Sequence, residues 1–195
     1  MQSIVLFVHI VGVLGLFVGL GLEWISLDAI RRATTRDEAV RWARVFGTVP
    51  RAAGATSAVI LLSGFYLGAR FGVLGNAWMR ASYVALVVMA VLAGPVSRPR
   101  AIALRRAVGN PGDRTLESVR AAAFDSILSL SLRLRGAFAL AVVYLMVRKP
   151  EPVEATLALA AAAVAGVSTS RPDKSGGRVT REKSGDTRRE IYPTA

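Results

Sequence analysis

The chain has 195 residues, 53% of them hydrophobic and 19% charged, and its 25 lysines and arginines against 13 acids give a formal charge of +12. A soluble domain this apolar has nowhere to hide the surplus, and a disordered basic chain would be far less apolar, so the two populations are segregated along a membrane-embedded chain. The absence of cysteine excludes disulfides, thiolate metal sites and a cysteine nucleophile, and a single histidine excludes an all-protein multi-His metal centre and argues against a Ser-His-Asp site.

Residues 4–22 are apolar except for His9. About 20 such residues at 1.5 Å rise match a hydrocarbon core about 30 Å thick, which makes this span one. It is expected to stay in place, since no basic residue precedes it and Glu23-Trp24 follows where a signal peptide would have a small-residue cleavage site. Residues 28–51, with six arginines from Arg31 to Arg51, read as a helical stretch in water or at the headgroups, ended by Pro50. Residues 52–67 form span two, a turn over 70–76 leads into span three at 77–92, and Gly94-Pro95 closes it. A second basic connection over 98–125 holds six more arginines and a turn at Asn110-Pro111-Gly112-Asp113. Span four, 127–147, contains Arg133 and Arg135 and stops at Arg148-Lys149-Pro150; residues 153–167, Ala-rich and about 15 long, make a short fifth span.

The predicted fold is therefore all-α, a polytopic transmembrane bundle of four core spans plus a short fifth over residues 1–167, followed by a basic tail, 168–195, too poor in apolar residues to fold alone. With five spans, nineteen basic residues fall on one side and four on the other. Cytoplasmic loops carry the Lys/Arg excess, so the N-terminus is expected outside and the tail in the cytoplasm, as a multi-pass protein of the cytoplasmic membrane. The bilayer is then the partner, with anionic lipid headgroups against the basic loops, and the charge needs no nucleic acid, for which no aromatic interleaving or reading module is present.

On a helical wheel of span one, His9, Gly12, Gly15, Gly19 and Glu23 fall within an arc of about 120°. The stripe should face other helices, and Gly15-x-x-x-Gly19 permits close approach of a neighbouring span or of a second copy in a homo-oligomer. His9 lies about 8 Å inside the outer boundary, near the depth of Ser63, Tyr66, Tyr83 and Tyr144. Three readings stand: a neutral imidazole hydrogen-bonded to Tyr or Ser, an axial ligand to haem or a shared metal, or a proton relay. In span four, Asp125, Ser129 and Arg133 share a face, with Arg135 about 200° round from Arg133. Glu23 is the acid at matching depth and is expected to form an intramembrane pair with Arg133; a clamp for propionate or phosphate is the sharper alternative.

The segments His9-Ile10-Val11-Gly12, Leu62-Ser63-Gly64-Phe65-Tyr66-Leu67, Ala77-Trp78 and Leu145-Met146-Val147-Arg148-Lys149-Pro150 resemble the bacterial family of predicted integral membrane proteins known as domain of unknown function 2269. That resemblance covers about residues 4–165 and implies a fold without an activity. A more remote likeness is to the HemJ-type protoporphyrinogen oxidases and CopD-type copper-resistance proteins, four-helix membrane folds. The HemJ-type pattern has a first-span histidine implicated in haem binding and a late Lys-Pro, matched here by His9 and Lys149-Pro150, with Gly19 on a motif glycine. The tryptophan of that pattern is Leu16 here, and Glu23 and Asp28 precede Arg31 where a basic residue should close the helix. Haem, held by His9 with Arg133 and Lys149, is what the likeness implies. The expected function is that of a structural or accessory membrane protein, with a haem- or metal-binding redox protein and a small oligomeric permease as alternatives; whether it is an enzyme is left open.

Overall fold

A computed structural model describes residues 1–109, 116, 119 and 123–168. The expected turn at 110–113 and the tail beyond 168 lie outside the described residues. The described residues form six α-helices: α1 (Gln2–Arg32), α2 (Arg36–Arg70), α3 (Ala77–Val91), α4 (Arg98–Gly109), α5 (Ser126–Arg148) and α6 (Pro152–Ser168), with a π-helical turn, Leu92–Ser97, joining α3 to α4. The described residues contain no strand. Among the described residues four segments are long and apolar enough to cross a membrane, namely α1, α2, α3 continued through α4 to Arg106, and α5; α6 is a shorter apolar helix.

The burial pattern is that of a protein whose solvent is hydrocarbon. Large apolar side chains such as Leu62 and Val147 lie 73% and 80% exposed, whereas Glu23 and Arg135 are 3% and 5% exposed. Backbone groups in lipid must be satisfied internally, which is why each crossing is helical. α1 packs along α2, and α5 packs against both α3 and α6. One apolar cluster, built on Leu16, Ile60, Leu86, Met89 and Phe138, fills the bundle between α1, α2, α3 and α5.

At 31 residues α1 is about 46 Å long, well beyond the hydrocarbon thickness. The surplus, with the first half of α2, with α4 and with the start of α5, forms a second cluster around Ile30, Ala43, Phe46, Leu104, Val119 and Leu128. The stretch over 28–51, expected in water or at the headgroups, thus packs with α4 into a layer of its own. Thr35 starts α2 by accepting the Glu38 N–H (3.3 Å), while the Glu38 carboxylate accepts the Thr34 N–H (3.1 Å), a reciprocal cap written in the sequence as Thr-x-x-Glu.

Two expected stops are not stops. α2 runs unbroken through Pro50; a proline inside a helix costs about 3 kcal/mol, and α2 is held against α1 and α4 below it and the membrane cluster above it. Gly94-Pro95 does not close span three but widens it into the π turn. The loosened Leu92 carbonyl accepts a hydrogen bond from Ser131 Oγ of α5 (3.0 Å), and Ser97 Oγ donates to Ser131 Oγ (2.7 Å), so a neighbouring helix supplies what the proline cannot. Lys149 ends α5 in the left-handed conformation (φ 50°), its N–H donating to the Leu145 carbonyl, with Pro150 blocking continuation.

Candidate functional site

Two polar centres lie inside the bundle. The first is built on α1, where Gly12 and Gly15 let α2 approach: a Cβ on Gly12 would sit 3.0 Å from Ile60 Cγ1, and one on Gly15 would sit 2.8 Å from Thr56 Cγ2. Gly19, on the same face, is buried. About one turn nearer the N-terminus of α1, this close pairing brings His9 Nδ1 within 2.9 Å of Ser63 Oγ. Ser63 has one proton, and its Oγ stands 2.5 Å from the Val59 carbonyl, to which it donates. It therefore accepts from His9 Nδ1–H, which fixes the tautomer and leaves Nε2 with its lone pair and without a hydrogen bond among the described residues.

Gly64 makes room for the ring. A Cβ there would lie 3.2 Å from His9 Cε1 and 3.9 Å from Tyr83 Oη, so imidazole and phenol flank one point. Tyr83 Oη is buried and has no hydrogen-bond partner among the described residues. His9 and Tyr83 both line a cavity of about 390 Å³ between α1, α2, α3 and α5. Its walls are otherwise apolar apart from the indole of Trp78, Lys149 at the C-terminal end of α5, and Ser82, whose hydroxyl is spent on the Trp78 carbonyl (2.8 Å). Ile10 and Leu14 of α1 and Val143 and Val147 of α5 line it too, and all four are exposed, as are Leu6 and Phe71 nearer the end of the bundle, so exposed apolar side chains of α1 and α5 form part of its wall.

Of the four expected neighbours of His9, Ser63 bonds to it and Tyr83 stands beside it. Tyr144 is instead held at the surface by Glu154 (2.7 Å), on the far side of α5. Tyr66 is exposed on α2 and does not line the cavity. Lys149 shares the cavity with His9, whereas Arg133 does not: it lines a small cleft of about 40 Å³ toward the basic end, with Trp24, Asp28, Arg31 and Ser129.

The second centre is the ion pair of Glu23, and its partner is Arg135 rather than the expected Arg133. Arg135 Nη1 donates to Glu23 Oε1 (3.3 Å) and Nη2 to Oε2, a bidentate pair with both side chains almost wholly buried. The face that α5 turns to the interior carries Leu128, Ser131, Leu132, Arg135 and Phe138; Arg133, two residues earlier, is rotated off it. Arg135 Nε and Ser26 Oγ, the latter one turn from Glu23, are buried and have no hydrogen-bond partner among the described residues.

Sequence reasoning passed over Arg31, one of six similar arginines in its segment. Its Nε donates to the Ala123 carbonyl (2.9 Å), its Nη2 to Ser129 Oγ (2.5 Å), and its guanidinium lies 5.3 Å from the Phe124 ring centre, tying the end of α1 to the start of α5. Among the described residues no cluster of three or more His, Cys, Asp or Glu could hold a metal ion.

No curated protein and no solved structure matches the chain. A family model does, over residues 3–150, which takes in α1 to α5, both polar centres and the Lys149-Pro150 cap. The chain belongs to the DUF2269 family of predicted integral membrane proteins.

Proposed function

We infer that this integral membrane protein binds a largely apolar small molecule, taken laterally from the bilayer into the cavity at His9. The carrying observation is the cavity itself: about 390 Å³ falls within the usual range of small-molecule sites, its walls are apolar with a few convergent polar groups, and exposed apolar side chains of α1 and α5 form part of them. A purely structural role for His9 would be served by Ser63 alone and needs no cavity. Passage from one side to the other finds no support, because the α1 face between His9 and Glu23 presents Gly12, Leu16 and Gly19, with Leu16 sealed against Ile60, Leu86 and Phe138.

Haem is a second reading, favoured by one coincidence: His9 with its uncommitted Nε2, the thioethers of Met79 and Met146, and Lys149 all line the same cavity. If haem bound there, His9 Nε2 and a thioether would hold it with Lys149 as the nearby cation, and it would supply one-electron chemistry; Arg133 is not placed to help. Native mass spectrometry of the detergent-purified protein, with a visible absorption spectrum, tests the site. A one-to-one small-molecule adduct is expected, lost when Ala139, buried on the cavity wall, is replaced by Phe. Absence of any adduct, both as purified and after incubation with excess para-nonylphenol, would refute binding. A Soret band that disappears in His9→Ala would select haem.

The orientation belongs to the same proposal: N-terminus outside, with the layer around Phe46 and Leu104 in the cytoplasm against anionic headgroups. The support is the nineteen-to-four division of basic residues. In a chain without native cysteine, a cysteine at Gly75, where a side chain meets nothing within 4 Å, should react with an impermeant maleimide in intact cells. One at Thr34, exposed between α1 and α2, should react only after lysis. The reverse pattern would invert the topology.

A further inference from the structure

The two polar groups at the head of the cavity are unlike, and together they specify what can sit between them. His9 Nε2 offers a lone pair and no proton, because Nδ1 carries the proton and gives it to Ser63. Tyr83 Oη offers a proton, is buried, and gives it to nothing among the described residues. Both groups border the space at Gly64, within 4 Å of one point on the imidazole Cε1 and phenol Oη sides, and both face the same apolar cavity. A buried donor left unmade is costly, and a group that both donates and accepts would satisfy the two at once. A hydroxyl does this with one oxygen. A carbonyl or ether can accept from Tyr83 but leaves Nε2 without a donor. A carboxylate would bring a negative charge into an apolar wall whose cation, Lys149, stands at the C-terminal end of α5.

We propose that the cavity selects an apolar molecule ending in a hydroxyl group, of the alkylphenol or long-chain alcohol class, whose O–H donates to His9 Nε2 and whose oxygen accepts from Tyr83 Oη. This rests on the reading of the cavity as a binding site. Gly64 is then a specificity element, since a Cβ there would press on the His9 ring at 3.2 Å from Cε1 and crowd Tyr83 Oη at 3.9 Å. The hydrocarbon part of the ligand lies toward the exposed Leu14 and Val143, so chain length is loosely read and the head group strictly read.

The test compares para-nonylphenol with its methyl ether, which keeps the size and the ring and deletes the donor. Binding of each to the full-length protein in detergent is measured by native mass spectrometry as the bound fraction at equal free concentration. The phenol is expected to bind at least about tenfold more tightly than the ether, since the ether leaves a buried acceptor unpaired. Tyr83→Phe, which removes one oxygen and little volume, and His9→Ala should each cut phenol affinity by about tenfold. In His9→Ala no acceptor remains to be stranded, so the ether should bind at least as tightly as it binds the wild type, which also reports that the variant is folded, and the preference for phenol over ether should vanish. Equal affinity for phenol and ether in the wild type would overturn the hydroxyl assignment while leaving the cavity a binding site. Failure of both probes and of any endogenous adduct would overturn the binding reading itself. A haem found on His9 would overturn the hydroxyl assignment by occupying Nε2.

Discussion

Glu23→Leu is expected to destabilise the bundle by about 3–5 kcal/mol, because it strands the Arg135 guanidinium, 5% exposed, inside the membrane-spanning core. The cost arises from the charge left behind more than from the attraction lost. Removing both ends therefore returns most of it: Glu23→Leu combined with Arg135→Leu should unfold in detergent close to the wild-type temperature, since two apolar side chains of similar bulk suit that interior. Arg133→Leu leaves the Glu23–Arg135 pair intact and should cost less than Arg135→Leu. A double-mutant cycle reads the pairing directly, with strong coupling of Glu23 to Arg135 and little to Arg133. Coupling of Glu23 to Arg133 instead would show that α5 is rotated in the membrane relative to the arrangement described. The pair spans α1 and α5, which otherwise touch over a short length, so it also fixes the register of the span that carries His9 against the helix that carries Lys149.

That pair illustrates what a sequence can and cannot supply. Hydropathy alone placed the four long spans and the short fifth helix, because hydrocarbon thickness sets a length that the chain must match residue by residue. The expectation that an acid at the inner end of span one would meet an arginine of span four followed from depth, and depth is linear in residue number. Which arginine it meets depends on how α5 is turned about its axis. That rotation is set by Ser131 reaching the Leu92 carbonyl and Phe138 entering the apolar cluster, contacts between residues far apart in the chain. Pro50 and Gly94-Pro95 misled for a related reason: a helix-breaking residue is judged by its local cost, whereas a packed neighbour can offset it from outside the segment. The basic connections were legible as charge and illegible as structure, since their buried positions, Ala39, Ala43 and Ala101 among them, are small and spaced among arginines. The cavity was legible only at its edges. His9 and its company of serine and tyrosine could be named from position, but a void is what several helices fail to fill together, and no residue type announces it.

The glycines of α1 give a prediction in which one substitution on one helix should act in opposite ways. Gly12→Leu should destabilise by at least about 1–3 kcal/mol, because its Cβ alone would meet Ile60 at 3.0 Å and Val59 at 3.3 Å, and the remaining side-chain carbons would then have to part α1 from α2. That separation reaches the site, since the His9 to Ser63 hydrogen bond crosses the same interface one turn away. Gly21→Leu, on the same helix, puts its Cβ where nothing lies within 4 Å and trades a poor helix former for a good one. It should leave the unfolding temperature unchanged or raise it. If the two leucines prove equally harmless, α1 and α2 do not pack by their glycine face within one chain, and His9 would lose the serine that sets its tautomer. If Gly12→Leu is damaging and also lowers para-nonylphenol binding while Gly21→Leu does neither, then the close approach of these two helices is what aims the imidazole into the cavity.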